Sequence, residues 1–395
     1  MWYAMKLILL QPYLNLRGGV ERVILKVAQH YGASIYVLEY DKSSTFSEFE
    51  NLDVRLIGKH VPLSSKLPYR ASQGFRYGYN FYNMKIKDDY DVLNPHISPS
   101  EWISHNNERV LWYCHTPPRE VYDLYETRMQ NRSYKDKLIY AALVGTYKVI
   151  AKKVTKNIAE IATNSKTTRE RIKRYYDRDA TVINPGIECR DFSNEGDHGF
   201  FLYPSRIVVN KRQDYVINAF GQFVKRTKDK KHKLIIAGTL SNDPEHRKYF
   251  EKLKSMSKGL NVVFDTNVDD KKLHSLYSRS TAVLFSAINE DYGFIPLEAM
   301  ASAKPIISVN EGGPRETIVD GKTGFLANTP TEMAEKMALV AQDSKLAEDI
   351  GRAGRKLVEE KYSWDNFFRK LDPMLAKAKN AEDKGAGRSR TPKRN

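Results

Sequence analysis

The stretch with the most chemical content lies at residues 289–301, where the sequence reads NEDYGFIPLEAMA after the apolar run that ends at Phe285. It places Glu290 in a loop and Glu298 in the first turn of a following helix. Because a carboxylate accepts hydrogen bonds from hydroxyl groups, the pair suits a ligand with several hydroxyls, such as a sugar and a ribose. Taken alone, the pair also fits a plainer interpretation, in which Glu298 complements the helix dipole and Glu290 is solvated.

A helix start in the same stretch is indicated by Pro296. Proline favours the first position of a helix, so we expect the amides of residues 294–297 to face the loop. Such amides and the positive end of a helix bind phosphate well, and Gly293 lets a ligand approach the backbone closely. The loop is therefore a candidate phosphate site.

Two cations, Arg206 and Lys211, flank the start of another predicted helix in the run PSRIVVNK at residues 204–211. Arginine binds a diphosphate as a two-pronged fork and lysine as a point charge, so the pair suits neutralisation of a leaving diphosphate. Two solvated surface cations are the alternative interpretation.

Glycines after predicted strands mark further places where the backbone could close on a ligand. They are the Gly18-Gly19 pair, Gly238, and the Gly312-Gly313-Pro314 turn. Each is weak alone, because glycine after a strand is usually only a tight turn. Gly18-Gly19 is not the dinucleotide fingerprint, since no third glycine or later acidic partner completes it, and this argues against a nicotinamide-dependent oxidoreductase.

Both halves of the chain alternate short apolar runs with amphipathic helical stretches, which predicts an α/β protein with parallel sheets wrapped by helices. The strands predicted for the first half are residues 5–10, 35–38, 91–97, 110–114, 158–163 and 181–183. Those predicted for the second half are residues 200–203, 234–237, 262–264, 282–285 and 305–309. The alternation breaks near residue 185, so we predict two doubly wound, Rossmann-like domains, 1–184 and 185–362, that face a central cleft.

The bulk composition agrees with this organisation. A length of 395 residues favours two domains, and 41% hydrophobic with 28% charged residues is typical of a soluble globular protein. Of the formal charge of +16, residues 377–395 carry +5 and the body +11, which suits a polyanionic partner. The two cysteines argue against a disulfide framework and for a reducing, cytoplasmic setting. No apolar run reaches the ~18 residues of a membrane-spanning helix, and the apolar start is read as a buried strand rather than a signal peptide.

Together these motifs resemble family 4 of the glycosyltransferases, the group 1 enzymes, over about residues 5–372. The resemblance implies the GT-B fold and the transfer of a sugar from a nucleotide sugar with retention of configuration. It implies that Arg206 and Lys211 hold the donor diphosphate. It also implies that Glu298 holds the ribose and that Glu290 contacts the transferred sugar. The further donor-binding candidates are Gly18, Gly19, Gly238, Gly293, Phe294 and Ile295.

The resemblance also makes predictions about the end of the chain, and this sequence departs from the family pattern at one position. It implies a final helix at residues 363–377, carrying Trp364, that crosses back to the first domain, with a disordered basic tail at 378–395. Arg212 stands where many family members have glycine after the lysine, so the packing around the donor should differ there.

The run WYCHTPPR at residues 112–119 resembles a signature of mannosyl- and related hexosyltransferases that build lipid-linked or surface glycans. It implies that His115 faces the transferred sugar, where a neutral imidazole binds a hydroxyl or helps the acceptor to lose its proton. A structural histidine is the alternative. The expected donor is GDP-mannose, with UDP-glucose and related UDP-hexoses as the next candidates.

No carboxylate in these motifs is placed as a nucleophile, so we expect attack on the face from which the diphosphate leaves, with the diphosphate taking the acceptor's proton. Neither a cofactor nor a metal is then required. Asp89-Tyr90-Asp91 has the form of a metal motif, but we expect it only to precede a strand.

Two segments, residues 66–87 and 138–156, join basic residues to aromatic or apolar ones, which suits an anionic membrane interface. The candidates for acceptor or membrane contact are Tyr69, Arg70, Arg76, Lys148, Lys152 and Lys153. A core helix with a solvated basic edge is the alternative, so peripheral association with the cytoplasmic membrane face is a hypothesis.

Two other functions stay open at this point. A nucleic-acid binder would explain the charge and the basic aromatic segment, but nothing else supports it, and we expect no nucleic-acid partner. A transferase that moves a sugar from a UDP-hexose such as UDP-glucose to a soluble acceptor would keep the chemistry and change the substrate.

Overall fold

The computed structural model describes residues 5–58, 69–130 and 132–381, with side chains from residue 73 onward in the second range. The chain divides into two compact units. Unit 1 comprises residues 1–183 together with 369–395, and unit 2 comprises residues 184–368. Unit 2 is therefore inserted into the chain of unit 1.

Unit 1 is a parallel sheet with helices. Its strands are β1 (Leu7–Leu14), β2 (Ser34–Tyr40), β3 (Val54–Leu56), β4 (Val92–Pro95), β5 (Leu111–Cys114), β6 (Glu160–Thr163) and β7 (Thr181–Val182). Its helices are α1 (Gly19–Tyr31), α2 (Tyr69–Asn83), α3 (Tyr125–Gln130), α4 (Tyr134–Val154) and α5 (Lys166–Tyr176). The strand order is β3-β2-β1-β4 and then β5-β6-β7, and a parallel bridge between Leu93 and Val110 links the two groups.

The core of unit 1 is apolar and fully buried. It includes Leu10 of β1, Phe81 of α2, Leu93 of β4, Trp112 of β5 and Val154 of α4. Burial of each such side chain contributes about 1.5–3 kcal/mol, so this packing holds the strands and fixes where they end.

Unit 2 is a second parallel sheet with helices. Its strands are β8 (Phe200–Pro204), β9 (Lys233–Ala237), β10 (Val262–Asp265), β11 (Ala282–Phe285), β12 (Ile306–Val309) and β13 (Phe325–Ala327). Its helices are α6 (Gln213–Thr227), α7 (Pro244–Met256), α8 (Asp270–Arg279), α9 (Phe294–Ala301), α10 (Pro314–Thr317), α11 (Pro330–Gln342) and α12 (Ser344–Lys361). The order is β10-β9-β8-β11-β12-β13, that of a doubly wound sheet whose direction of strand addition reverses between β8 and β11.

The last helix, α13 (Trp364–Lys379), begins in unit 2 and belongs to unit 1 from Arg369 onward. In unit 1 the Tyr31 hydroxyl donates to Asp372 at 2.7 Å. Lys377 pairs with Glu160 at 2.6 Å, and Lys379 pairs with Asp91 at 3.0 Å. Residues 382–395, most of the predicted basic tail, lie outside the described residues.

The α/β class with parallel sheets is confirmed, and each predicted strand overlaps a strand of the structure. Two strands were not predicted, β3 and β13, and both are only three residues long. The predicted place of Pro296 is wrong. It is the third residue of α9, not the first, which is tolerated because amides of the first turn have no carbonyl partner within the helix.

Candidate active site

The candidate residues of unit 2 lie where its strand order reverses. β8 ends at Pro204 and leads to Arg206, while β11 ends at Phe285 and leads to the loop with Glu290. Because β8 and β11 are parallel neighbours, both loops leave the same edge of the sheet. This crevice is where doubly wound sheets bind their ligands.

Lys211 and Glu290 are brought into direct contact. The Lys211 ammonium donates to the Glu290 carboxylate at 2.6 Å, and the side chains are only 15% and 27% exposed. Partial burial weakens solvent screening, so this pair is electrostatically stronger than an ordinary surface ion pair. The structure thus unites one predicted cation with one predicted carboxylate, 79 residues apart in sequence.

Further hydrogen bonds tie the turn that carries Lys211 to the loop after β11. Ser286 Oγ lies 3.0 Å from the Lys211 carbonyl oxygen and 2.9 Å from that of Arg212. The Ile288 amide donates to the Asn210 carbonyl at 3.0 Å. These contacts set the position of the lysine relative to the carboxylate.

Arg212 has a left-handed backbone, with φ of 52°. This conformation favours glycine, the residue that the resemblance implies at this position. In this chain the guanidinium compensates, since Nε donates to the Ser286 carbonyl at 2.6 Å and Nη2 to Glu311 at 2.8 Å. Arg212 therefore stabilises the loop after β11 through these hydrogen bonds.

The glycines have a packing role. A Cβ on Gly312, whose φ is 60°, would lie 2.3 Å from the carbonyl oxygen of Glu290, and the Gly313 amide donates to that same oxygen at 2.7 Å. A Cβ on Gly238 would lie 2.0 Å from the carbonyl oxygen of Ser205. Close backbone contact at these positions shapes the loops that carry Glu290 and Arg206.

Glu298 is buried near the start of α9, and the Tyr277 hydroxyl donates to its Oε2 at 2.7 Å. Tyr277 was not predicted as a site residue, because no sequence spacing connects α8 to α9. Gly293, with φ of 84°, precedes α9, and Ile295 contributes an amide to the first helical turn.

Arg206 is exposed. Within the described residues its guanidinium has no hydrogen-bond or ion-pair partner, so its charge is available to a ligand. This cation contrasts with Lys211, which is already engaged by a carboxylate.

In unit 1 the corresponding edge holds two buried histidines. His96 follows β4, His115 follows β5, and the His96 Nδ1 to His115 Nε2 distance is 2.9 Å. His96 Nε2 lies 3.1 Å from Asn94 Oδ1. Burial lowers the pKa of His115 to about 3. Burial, with the nearby His115 ring as a second cause, also holds the pKa of His96 well below its ordinary value. Both rings are therefore neutral at neutral pH.

Sequence reasoning singled out His115 but not His96 or Asn94. The strand predicted at residues 91–97 included both residues, whereas β4 ends at Pro95, so His96 follows the strand instead of lying within it. Gly18 and Gly19 lie at another such end, after β1, where they begin α1.

A cavity of about 380 Å³ lies beside the histidine pair. Its lining includes Ile97 and Thr116, the residues that directly follow His96 and His115. Most of the other lining side chains are apolar or aromatic, and the charged ones are Arg119, Arg128, Arg132 and Glu120. Arg119 pairs with Asp123 and Arg128 with Glu120. The cavity therefore suits a ligand with a large apolar part, and Arg132 is the lining arginine to which no ion pair is assigned within the described residues.

Part of the first predicted membrane segment is a core helix. Tyr77 and Phe81 of α2 are buried, and Arg76 pairs with Glu39. For residues 73–83 this agrees with the alternative of a core helix with a basic edge. Tyr69 and Arg70 lie in the first turn of α2, and their side chains are outside the described part of the chain.

The second segment, α4, presents an unusual exposed face. Tyr134, Leu138 and Val149 are 79%, 57% and 70% exposed, and their spacing places them on one side of the helix. Lys152 on the same side and Lys153 beside it are also exposed. Lys148 points elsewhere, with its ammonium 5.5 Å from the ring centroid of Tyr122. Every helix within the described ranges is too short or too polar to span a membrane.

Asp89 and Asp91 precede β4 and are engaged by cations. Asp89 pairs with Lys6 at 2.5 Å, and Asp91 pairs with Lys379 at 3.0 Å. Among the residues with described coordinates, no group of three or more His, Cys, Asp or Glu side chains is arranged to hold a metal ion.

Two doubly wound units with polar side chains at the carboxyl ends of their strands are the architecture of the GT-B glycosyltransferases. Residues 188–357 match the family model described as glycosyl transferases group 1. The solved structure of Anabaena Alr3699/HepE in complex with UDP and glucose is similar in fold. Its TM-score is 0.71 at 14% identity, over 94% of this chain and 99% of that one.

Sequence relatives extend the similarity along the chain. The alpha-1,3/1,6-mannosyltransferase ALG2 of Mus musculus is 28% identical over 413 aligned positions, which cover 95% of this chain and 97% of the relative. The protein of the same name from Homo sapiens is 27% identical over 399 positions, covering 91% and 93%. The chain thus has the GT-B fold, and it is similar to the group 1 glycosyltransferases in the residues that their family model matches.

Proposed function

We propose that the protein is a retaining mannosyltransferase that moves mannose from GDP-mannose to a lipid-linked glycan. The observation that carries this proposal is the similarity to alpha-1,3/1,6-mannosyltransferases along 91–95% of the chain. The charged groups at the edge of the unit 2 sheet support it, because a nucleotide-sugar donor needs both cations and hydroxyl-binding carboxylates.

In this proposal unit 2 binds the donor. The exposed guanidinium of Arg206 and the ammonium of Lys211 neutralise the diphosphate, and the first turn of α9 adds backbone amides. Glu290 uses one oxygen for Lys211 and the other for a hydroxyl of the transferred sugar. Glu298, oriented by Tyr277, accepts hydrogen bonds from the ribose.

The chemical step needs no protein nucleophile. The acceptor oxygen bonds to the anomeric carbon on the face from which the diphosphate leaves, and the bond from that carbon to the phosphate oxygen breaks. The acceptor's proton passes to the departing diphosphate. Cations that stabilise the developing charge lower the barrier, and loss of one such contact costs about 2–4 kcal/mol. No metal is required.

Unit 1 binds the acceptor in this proposal. The cavity lined by Ile97 and Thr116 combines mostly apolar walls with Arg132, which suits a lipid chain attached to a phosphate. The exposed face of α4, with Tyr134, Leu138 and Val149 near lysines, suits the interface of an anionic membrane. The enzyme would then meet its acceptor as a peripheral protein on the cytoplasmic face.

A donor panel tests the reaction. The full chain is incubated with GDP-mannose, UDP-glucose or no donor, with and without a polyprenyl-diphosphate glycan, and product is followed by mass spectrometry. Transfer from GDP-mannose with an α-linked product supports the proposal. Transfer from UDP-glucose to a soluble sugar would replace it with the soluble-acceptor alternative, and an inverted product would refute retention.

Vesicle sedimentation tests the membrane part separately. The full chain should pellet with anionic phosphatidylglycerol vesicles at low salt and less at high salt. The double variant Leu138→Ser with Val149→Ser should pellet several-fold less. The matched control is Leu339→Ser, which removes a 39% exposed leucine from a helix of unit 2. Equal pelleting of all three proteins would rule out α4 as the contact.

A further inference from the structure

A hydrogen-bond chain in unit 1 begins at a backbone carbonyl. The side-chain amide nitrogen of Asn94 donates to the carbonyl oxygen of Leu111 at 2.6 Å. A carbonyl oxygen only accepts, so the NH₂ group of Asn94 must face Leu111. The orientation of the amide is thereby fixed, and Oδ1 faces the other way, toward His96.

The next link fixes the proton of His96. Asn94 Oδ1 lies 3.1 Å from His96 Nε2, and an amide oxygen only accepts. His96 Nε2 must therefore carry the hydrogen. A neutral imidazole has one N–H, so His96 Nδ1 is left as an acceptor.

The last link fixes the proton of His115. His96 Nδ1 lies 2.9 Å from His115 Nε2. Since Nδ1 of His96 accepts, Nε2 of His115 must donate, and Nδ1 of His115 is left with a lone pair. Among the described residues, no hydrogen-bond partner of this Nδ1 is found.

Burial decides what that lone pair does. The pKa of His115 is lowered to about 3, because burial disfavours the charged imidazolium. The nitrogen is thus a poor proton acceptor but a good hydrogen-bond acceptor. The hydrogen-bond chain ends at the Asn94 amide, which takes up no proton. It therefore fixes the tautomer of His115 and does not conduct a proton.

We propose that Asn94 and His96 are positioning residues that hold His115 as the Nε2–H tautomer, so that His115 Nδ1 accepts a hydrogen bond from a sugar hydroxyl. That the ligand of His115 Nδ1 is a sugar hydroxyl rests on the proposed function. The tautomer itself follows from the hydrogen bonds of Asn94 and His96 alone. The geometry leaves His115 Nδ1 as an acceptor, and the burial of the ring favours hydroxyl binding over removal of the acceptor's proton.

Nuclear magnetic resonance of the full chain labelled with ¹⁵N-histidine tests the tautomer directly. The ring nitrogens of His115 and His96, assigned by single-residue variants, should both show the Nε2–H pattern at neutral pH. An Nδ1–H pattern for His115, or an averaged mixture of tautomers, would overturn the proposal. This readout needs no donor and no activity.

Variants of His96 test the positioning role. His96→Asn places an amide oxygen near the position of Nδ1 and should keep the His115 tautomer and most of the turnover. His96→Leu removes the acceptor, so His115 should become a mixture of tautomers and kcat should fall about tenfold, the loss expected for one hydrogen bond. The donor KM should change less than kcat.

A matched control and two remaining outcomes complete the test. His105→Asn alters another histidine of unit 1, stacked 3.8 Å from the Tyr82 ring, and should leave the His115 spectrum unchanged. If His96→Leu does not fold, the wild-type and His96→Asn spectra still decide. An Nε2–H tautomer in a protein that transfers no sugar would uphold the tautomer and refute the proposed function, whereas unchanged kcat in His96→Leu would refute the positioning role.

Discussion

The two units carry polar side chains at the same edge of similar sheets, yet they hold them in opposite electrostatic states. In unit 2, Lys211 and Glu290 are charged, partly exposed and 2.6 Å apart. In unit 1, His96 and His115 are buried, neutral and 2.9 Å apart. A diphosphate needs compensating charge, whereas a hydroxyl needs a correctly oriented acceptor. The comparison teaches that similar sheets can supply charged groups in one unit and an oriented, neutral hydrogen-bond acceptor in the other.

The largest effect is expected in unit 2, where the site residues are charged. Lys211→Ala should raise the transfer barrier by about 2–4 kcal/mol, because the developing charge on the diphosphate loses its cation. This is measured as a fall in kcat/KM for the donor. Lys254→Ala is the control, since it removes a lysine at 2.7 Å from Glu251 on α7. Equal, small effects of both variants would show that charge at Lys211 does not matter.

The next effect concerns the loop that holds Glu290. Gly312→Ala should lower the free energy of unfolding by about 2–3 kcal/mol, from overlap with the Glu290 carbonyl and from its left-handed φ. Thermal denaturation measures the loss. Gly321→Ala, at φ 69° with no atom within 4 Å of the added Cβ, should cost only about 1 kcal/mol. Similar costs for the two would mean that loop contact contributes nothing.

In unit 1, the buried neutral histidines should make the free energy of unfolding decrease as the pH is lowered. The lowered pKa of His115 means that the unfolded chain binds a proton first as pH drops below about 6.5, so folding stability decreases toward pH 5. His115→Gln should remove about 1–2 kcal/mol of this decrease between pH 7 and 5, measured by urea denaturation at each pH. The exposed His198→Gln should not. An unchanged pH slope in His115→Gln would show that the ring is not buried as a neutral group.

The smallest effect concerns the hydrogen bond from Tyr277 to Glu298 in unit 2. Tyr277→Phe removes the hydroxyl that orients Glu298 and should raise the donor KM about fivefold, the equivalent of ~1 kcal/mol, with kcat nearly unchanged. Tyr249→Phe, which loses a hydroxyl contact of 2.8 Å to Asp214, serves as the control. A fall in kcat rather than a rise in KM would place Glu298 nearer the chemistry than the ribose.

The sequence was enough to predict the fold, because buried parallel strands leave continuous apolar runs such as Ala282–Phe285. It did not reveal β3, since Val54–Leu56 is short and mostly exposed. The bounds of β1 were also wrong, because Gln11 interrupts the apolar run while the strand continues to Leu14.

The candidate site was accessible only in part. Family motifs named Lys211 and Glu290, and the structure brings them together, but their spacing in sequence contains no information on that contact. His96 and Tyr277 were missed because each matters through a partner on another element. The roles of these two residues depend on neighbours in three dimensions, and the local sequence pattern does not reveal such neighbours.

The insertion of unit 2 has a consequence for synthesis. A ribosome completes the seven strands described for unit 1 and then the whole of unit 2 before it delivers residues 369–379. Unit 1 needs these residues for its contacts with Tyr31, Glu160 and Asp91. The domain begun first is therefore finished last. A nascent chain arrested after residue 183 would lack that closing helix, whereas in the full-length chain unit 2 is complete before unit 1.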